Sequence, residues 1–156
     1  MRPDVERKVQ FLREKGVVMT IQRTAVLEAL DEIGKVHPTA EDLYNHLRER
    51  YPTLSLATVY NTLEVFHRFG LVQELSFPRQ ERRYDTNTKP HPHFFCRVCG
   101  RVWDVAETCP IPDCPVLDME TMDGNKVERV YICFYGVCEE CLREGFKPKG
   151  ERWPSS

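Results

Sequence analysis

Two imidazoles and two thiols fall within His91-Pro92-His93-Phe94-Phe95-Cys96-Arg97-Val98-Cys99-Gly100. Soft thiolates favour zinc or iron–sulfur chemistry, whereas imidazoles joined by carboxylates suit Fe(II), Mn(II) or Zn(II), so this stretch feeds two different metal sites. Cys96 and Cys99 form a C-x2-C knuckle, and Cys138-Glu139-Glu140-Cys141 forms a second. Their four thiolates have the composition of a tetrahedral structural zinc site, with rubredoxin-like iron or a redox dithiol as the alternatives. The 38 residues between the knuckles exceed the roughly 15–20 of a simple zinc ribbon, so a sheet has to bring the pairs together.

His91 and His93 are left for the second site. Residues at i and i+2 of a strand share a face, and Pro90 and Pro92 favour the extended backbone that lets both rings reach one ion. Asp85, Asp104 and His37 are available to complete it. By spacing alone each of these three reads as an ordinary surface residue. His46 and His67 fall on exposed helical positions and stay outside the metal site. A rival of another class is a small zinc-dependent hydrolase in which His91, His93 and an aspartate activate a water. It lacks a general base at a recognisable spacing, and turnover on esters or phosphodiesters against salt-dependent DNA binding separates the two.

The elements that must position these donors divide at a polar stretch, Asp85-Thr86-Asn87-Thr88-Lys89-Pro90, which reads as a hinge. The expected domains are 1–85 and 86–156. In the first, Val5, Val9 and Leu12, with Phe11 beside them, give a helical stripe ending at Lys15-Gly16. Thr20 caps a second helix with Ile21, Ala25, Val26, Ala29, Leu30 and Ile33 inward and Gly34 as its stop. After His37-Pro38, Thr39 caps a third helix, with Asp42 completing a capping box and Ala40, Leu43, Tyr44 and Leu47 buried. Ser55 caps a fourth over 56–69, with Leu56, Val59, Leu63 and Phe66 inward. Strands over 71–77 and 81–85 follow, joined at Pro78-Arg79-Gln80.

This is the outline of a winged helix-turn-helix. On the fourth helix Thr58, Tyr60, Asn61 and Arg68 offer hydroxyls, an amide and a cation to a major groove, and Arg79, Arg82 and Arg83 suit phosphates. A protein-interaction module with a solvated polar helix face is the open alternative. The second domain carries short strands around the Cys96/Cys99 turn, a short helix over 116–122 ended by Gly124, and a β-type run over 127–135. The fold class expected is therefore α+β, a winged helix-turn-helix domain followed by a small α/β domain with a four-cysteine zinc site.

Bulk composition narrows the setting. With 156 residues, 41% hydrophobic and 29% charged, the chain can bury one ordinary core or two small ones. No apolar run reaches the roughly 18 residues of a membrane span, and the charged N-terminus is no secretory signal. Seven cysteines, an odd number, point with the C-x2-C pairs to reduced thiols and metal in a cytoplasmic protein rather than to disulfides. The net charge of −2 leaves any DNA contact to a local basic face.

Four runs together resemble the ferric uptake regulator family: His37-Pro38-Thr39-Ala40-Glu41-Asp42-Leu43-Tyr44, Leu56-Ala57-Thr58-Val59-Tyr60-Asn61-Thr62-Leu63, the His-x-His-x2-Cys-x2-Cys-Gly stretch, and Tyr135-Gly136-Val137-Cys138-Glu139-Glu140-Cys141. The resemblance spans nearly the whole chain. It implies a homodimeric, metal-dependent repressor of double-stranded palindromic operators, with an N-terminal winged helix and a C-terminal dimerisation domain. It also implies a structural Zn(II) on Cys96, Cys99, Cys138 and Cys141, and a regulatory Fe(II) or Mn(II) on His37, Asp85, His91, His93 and Asp104. Asp at position 104 resembles the peroxide-sensing branch, where a ligand imidazole, His37 or His91, is oxidised; the iron-sensing branch usually has Glu. An iron-, manganese- or zinc-sensing repressor of metal uptake genes is the alternative among regulators. Pro90 and Pro92 stand where a further site of the iron-sensing branch would have His and Asp, so that site is expected to be absent. The insert Cys109-Pro110-Ile111-Pro112-Asp113-Cys114 replaces a longer helix, and Cys109, Cys114 and Cys133 read as tolerated free cysteines rather than thiol sensors.

Overall fold

The computed structural model describes residues 1–105 and 115–145. Cys109 and Cys114 lie outside them. The chain divides into two units, Met1–Lys89 and Pro90–Ser156.

The first unit is built from four helices and a hairpin. Helix α1 is Pro3–Glu14 and α2 is Ile21–Ile33, extended by a 3-10 turn, Gly34–Val36. Helix α3 is Ala40–Leu47 and α4 is Leu56–Arg68. Thr20 and Ser55 accept from Arg23 N and Thr58 N, and Thr39 with Asp42 makes both hydrogen bonds of a capping box, satisfying amide donors that a helix start leaves open. The apolar stripes of all four helices meet in one core, from Val5, Val9 and Leu12 through Val26, Leu30, Leu43 and Leu47 to Val59, Leu63 and Phe66. Ile21, expected inward, is 77% exposed, because the first residue of α2 lies beyond the reach of that core. Strands β1 (Gln73–Leu75) and β2 (Arg83–Asp85) pair antiparallel as the wing. They are shorter than the expected runs, since only three residues of each find a cross-strand partner.

In the second unit strand β3 is Pro92–Cys96, β4 is Val102–Asp104 and β7 is Ile132–Gly136. They form a three-stranded sheet of order β4-β3-β7. Strand β4 pairs antiparallel and β7 parallel with β3. A 3-10 turn, Pro115–Asp118, leads to a small hairpin, β5 (Thr121–Met122) with β6 (Asn125–Lys126), and α5 (Glu139–Arg143) follows β7.

The helix expected over 116–122 is thus a turn and a strand. Asp123 and Gly124, with φ of 50° and 81°, make the left-handed pair that closes a two-residue hairpin. The long strand expected over 127–135 shrinks to its second half, where β3 supplies hydrogen-bond partners. Among the described residues no helix is long and apolar enough to cross a membrane.

Candidate metal centres

The sheet brings the two knuckles together by register. Cys96 ends β3 opposite Gly136, which ends β7, so the turns that follow both strands start side by side. Gly136 permits this closeness, for a Cβ there would lie 3.1 Å from Phe94 Cζ. Arg97 N donates to Gly136 O at 2.9 Å and Gly100 N to Cys96 O at 2.9 Å. Gly100, at φ 73°, turns the chain back into β4 in a region that side chains rarely adopt.

All four Sγ atoms lie within 4.8 Å of one another, with Cys96–Cys141 and Cys99–Cys138 both 3.9 Å apart. Zinc–sulfur bonds of about 2.3 Å in a tetrahedron put sulfurs about 3.8 Å apart, so these residues fit the ion. Cys138 N donates to Cys96 Sγ and Cys141 N to Cys138 Sγ, the backbone support that thiolates require. The Cys141 backbone amide, with thiol neighbours and against burial, pulls Cys138 down to about 6. Hydrogen bonding with Cys138, together with burial, pushes Cys141 up to about 12. The opposite directions mark thiols that compete for negative charge at close range, and a divalent cation among them would let all four ionise.

The histidine and aspartate donors form one cluster in each unit. In the first, His37 caps the 3-10 turn with φ 53°, an uncommon backbone for a side chain other than glycine. The wing holds it there. Arg83 Nη1 donates to His37 O at 3.0 Å and Tyr84 N to Pro38 O at 2.9 Å. His37 Nε2 lies 3.4 Å from Asp85 Oδ2, with the residues 2% and 3% exposed. Asp85 accepts from Asn87 N through Oδ1 at 2.8 Å. Asp85 therefore belongs to β2, not to a loose hinge, and neither residue is the surface group that spacing alone suggested.

In the second unit His93 stands opposite Asp104 across the β3–β4 pair. His91 Nε2 and His93 Nε2 converge on one oxygen, Asp104 Oδ1, at 3.1 and 3.4 Å, with ring centroids 4.3 Å apart. Two imidazole nitrogens and a carboxylate oxygen at one point are a donor set for a divalent first-row ion.

A match to the model of the ferric uptake regulator family covers residues 14–113. The chain belongs to the ferric uptake regulator family. It is 37% identical over 146 residues to the peroxide operon regulator of Bacillus subtilis (strain 168), covering 90% of this chain and 95% of that one. The ferric uptake regulator of Helicobacter pylori has the same fold, with a TM-score of 0.70 at 22% identity over 88% of this chain and 91% of that one. The peroxide stress regulator of Campylobacter jejuni gives a TM-score of 0.59 at 29% identity over 90% of this chain and all of that one. Family membership removes the hydrolase alternative, since these proteins are transcriptional regulators.

The residues expected at DNA divide. Tyr60, Asn61 and Arg68 are exposed on α4, with Arg68 ion-paired to Glu64 at 3.6 Å. Thr58 is half-buried, its Oγ1 2.8 Å from Ser55 Oγ. Arg79 is exposed and Arg82 pairs with Glu74 at 3.4 Å. Arg83, expected with them, is half-buried and turns back to the His37 carbonyl, a task no local pattern announces. His46 pairs with Glu32 at 2.8 Å, and His67 Nδ1 lies 3.2 Å from Val72 O. Burial pushes the Cys133 thiol up, which leaves it less thiolate at neutral pH.

Proposed function

We propose that this protein is a metal-dependent, DNA-binding transcriptional repressor that senses hydrogen peroxide through one regulatory ion, Fe(II) or Mn(II), held by His37, Asp85, His91, His93 and Asp104. The observation that carries this reading is the convergence of His91 and His93 on Asp104 Oδ1 in one unit, matched by the buried His37–Asp85 pair in the other. A single ion drawing on both clusters bonds the winged helix, within 1–85, to the dimerisation domain, within 86–156. An ion that favours the DNA-binding arrangement ~100-fold shifts that equilibrium by ~2.7 kcal/mol, enough to switch operator occupancy.

Two copies reading a palindrome place their recognition helices in successive major grooves, about 34–36 Å apart. Strand β7 suits the pairing of copies, being an edge strand among the described residues with Phe134 39% and Tyr135 44% exposed. Thr58, Tyr60, Asn61 and Arg68 then face bases or backbone, while Arg79 and Arg82 hold phosphates. Arg83 acts through His37. When Fe(II) is bound, it supplies the reduction of peroxide beside the imidazoles. One peroxide oxygen would enter a ring C–H bond of His37 or His91 as the O–O bond breaks and the other oxygen leaves as water, and the oxidised ring, a poorer ligand, would release the repressor. The carboxylate at position 104 and the similarity to peroxide regulators support this over a repressor that senses iron, manganese or zinc.

The test is mass spectrometry of anaerobically Fe(II)-loaded protein after peroxide, with operator binding followed in parallel. The expected result is one added oxygen on His37 or His91 and loss of binding, with Asp104→Glu still binding operator but oxidised more slowly. Unmodified histidines in a protein that releases its operator only when metal is withdrawn would make it a plain metal sensor.

A further inference from the structure

The four cysteines of the thiolate cluster are not equally exposed. Cys96 is 0% exposed, Cys138 5% and Cys141 6%, whereas Cys99 is exposed. Arg101, just past the first knuckle, reaches this exposed member. Its Nε donates to Cys99 Sγ at 3.5 Å and its Nη2 to Cys138 Sγ at 3.7 Å. The same Nη2 is ion-paired to Glu140, inside the second knuckle. One guanidinium therefore ties both knuckles together from outside and places its charge on two sulfurs of a site whose net charge with zinc is −2.

A thiolate reacts with peroxide by attack of sulfur on oxygen. The S–O bond forms, the O–O bond breaks and hydroxide leaves. A neighbouring thiolate then attacks the sulfenic sulfur, forming an S–S bond and expelling a second hydroxide. Cys138 is placed for this step, 3.9 Å from Cys99. Each peroxide so consumed removes two zinc ligands. On zinc every sulfur is already a thiolate, so the first step depends on the nucleophilicity of that sulfur, and a charged hydrogen-bond donor lowers it.

We propose that Arg101, held by Glu140, is a positioning residue that guards the structural zinc site against hydrogen peroxide by hydrogen-bonding to Cys99 and Cys138 and drawing electron density from their sulfurs. The proposal rests on the four-thiolate zinc reading and is independent of which metal occupies the histidine site. In a peroxide sensor the guard has an evident use, since the effector must damage an imidazole site and spare a thiolate site in the same chain.

The experiment uses iron-free, zinc-loaded full-length protein, as wild type and as Arg101→Ala, Arg101→Lys and Glu140→Gln. Zinc release is followed with a colorimetric chelator after addition of peroxide, and separately with EDTA and no oxidant. A guard affects the first rate and spares the second, whereas a merely structural residue moves both. The expected result is zinc release by peroxide about 3- to 10-fold faster in Arg101→Ala, the scale of one hydrogen bond to a thiolate, with smaller increases in the other two variants. EDTA extraction stays at the wild-type rate.

Wild-type peroxide rates in Arg101→Ala overturn the proposal, as does equal acceleration of both rates. Should Arg101→Ala fail to hold zinc, Arg101→Lys decides. It has lost the fork that reaches two sulfurs, so faster peroxide release supports the guard, while an unchanged rate or absent zinc rejects it. Wild-type protein without one zinc per chain removes the four-thiolate reading itself, an outcome distinct from the others.

Discussion

The thiolate cluster and the histidine–aspartate donors differ in where the chain finds their members. All four cysteines belong to one unit, and the β3–β7 register that unites them is part of that unit's sheet. His37 and Asp85 come from the first unit, and His91, His93 and Asp104 from the second. A metal whose ligands sit in one folded unit contributes to folding that unit. A metal whose ligands are divided between two units is coupled instead to their arrangement, and so can report on it. The donors match these tasks, thiolates for a zinc that stays and imidazoles with carboxylates for an exchangeable ion.

Breaking the thiolate side has the largest expected effect. Cys96→Ser removes the most buried ligand, and zinc binding is worth on the order of 10 kcal/mol in sites of this kind. Metal analysis should find no zinc, and size-exclusion chromatography a monomeric or unfolded chain. A zinc-loaded dimer would show that the sulfurs are not the ligands. Breaking the histidine side should act on DNA alone. His37→Ala is expected to keep its zinc and its fold but to lose metal-dependent operator binding ~100-fold, or ~2.7 kcal/mol, by fluorescence anisotropy.

Arg83→Ala loosens the histidine side without touching a ligand. Losing the hydrogen bond that holds the left-handed backbone of His37 is expected to weaken the regulatory metal about 3- to 10-fold, the equivalent of about 1 kcal/mol, with zinc unchanged by titration calorimetry. The smallest effect belongs to Thr39→Ala, which removes the capping-box side chain two residues after His37. It should lower stability by about 1 kcal/mol, read as a lower Tm, and leave both metals in place.

Much of this was legible in the sequence because the signals were local. The caps Thr20, Thr39 and Ser55, the apolar helical stripes and the C-x2-C spacings each act within a few residues, and apart from the exposed Ile21 they stand where they were expected. The burial of His37 and Asp85 was not legible from spacing, because it depends on a wing strand lying against a 3-10 turn far away in sequence. Only family resemblance pointed to them. The β5–β6 hairpin had a local signal in Asp123-Gly124, which apolar residues before it masked as a helix. Arg101 and Glu140 carried no signal, since a C-x2-C pattern specifies ligands and not what hydrogen-bonds to them.

In the proposed switch one regulatory ion takes donors from both units. Mn(II) titration calorimetry of zinc-loaded wild type, His37→Ala, His93→Ala and the double variant, run as a double-mutant cycle, decides this. A shared ion gives one Mn(II) per chain in the wild type, a loss of ~100-fold (~2.7 kcal/mol) or more in either single variant, and no further loss in the double. Additive losses, or a full-affinity Mn(II) site surviving in either single variant, would contradict it.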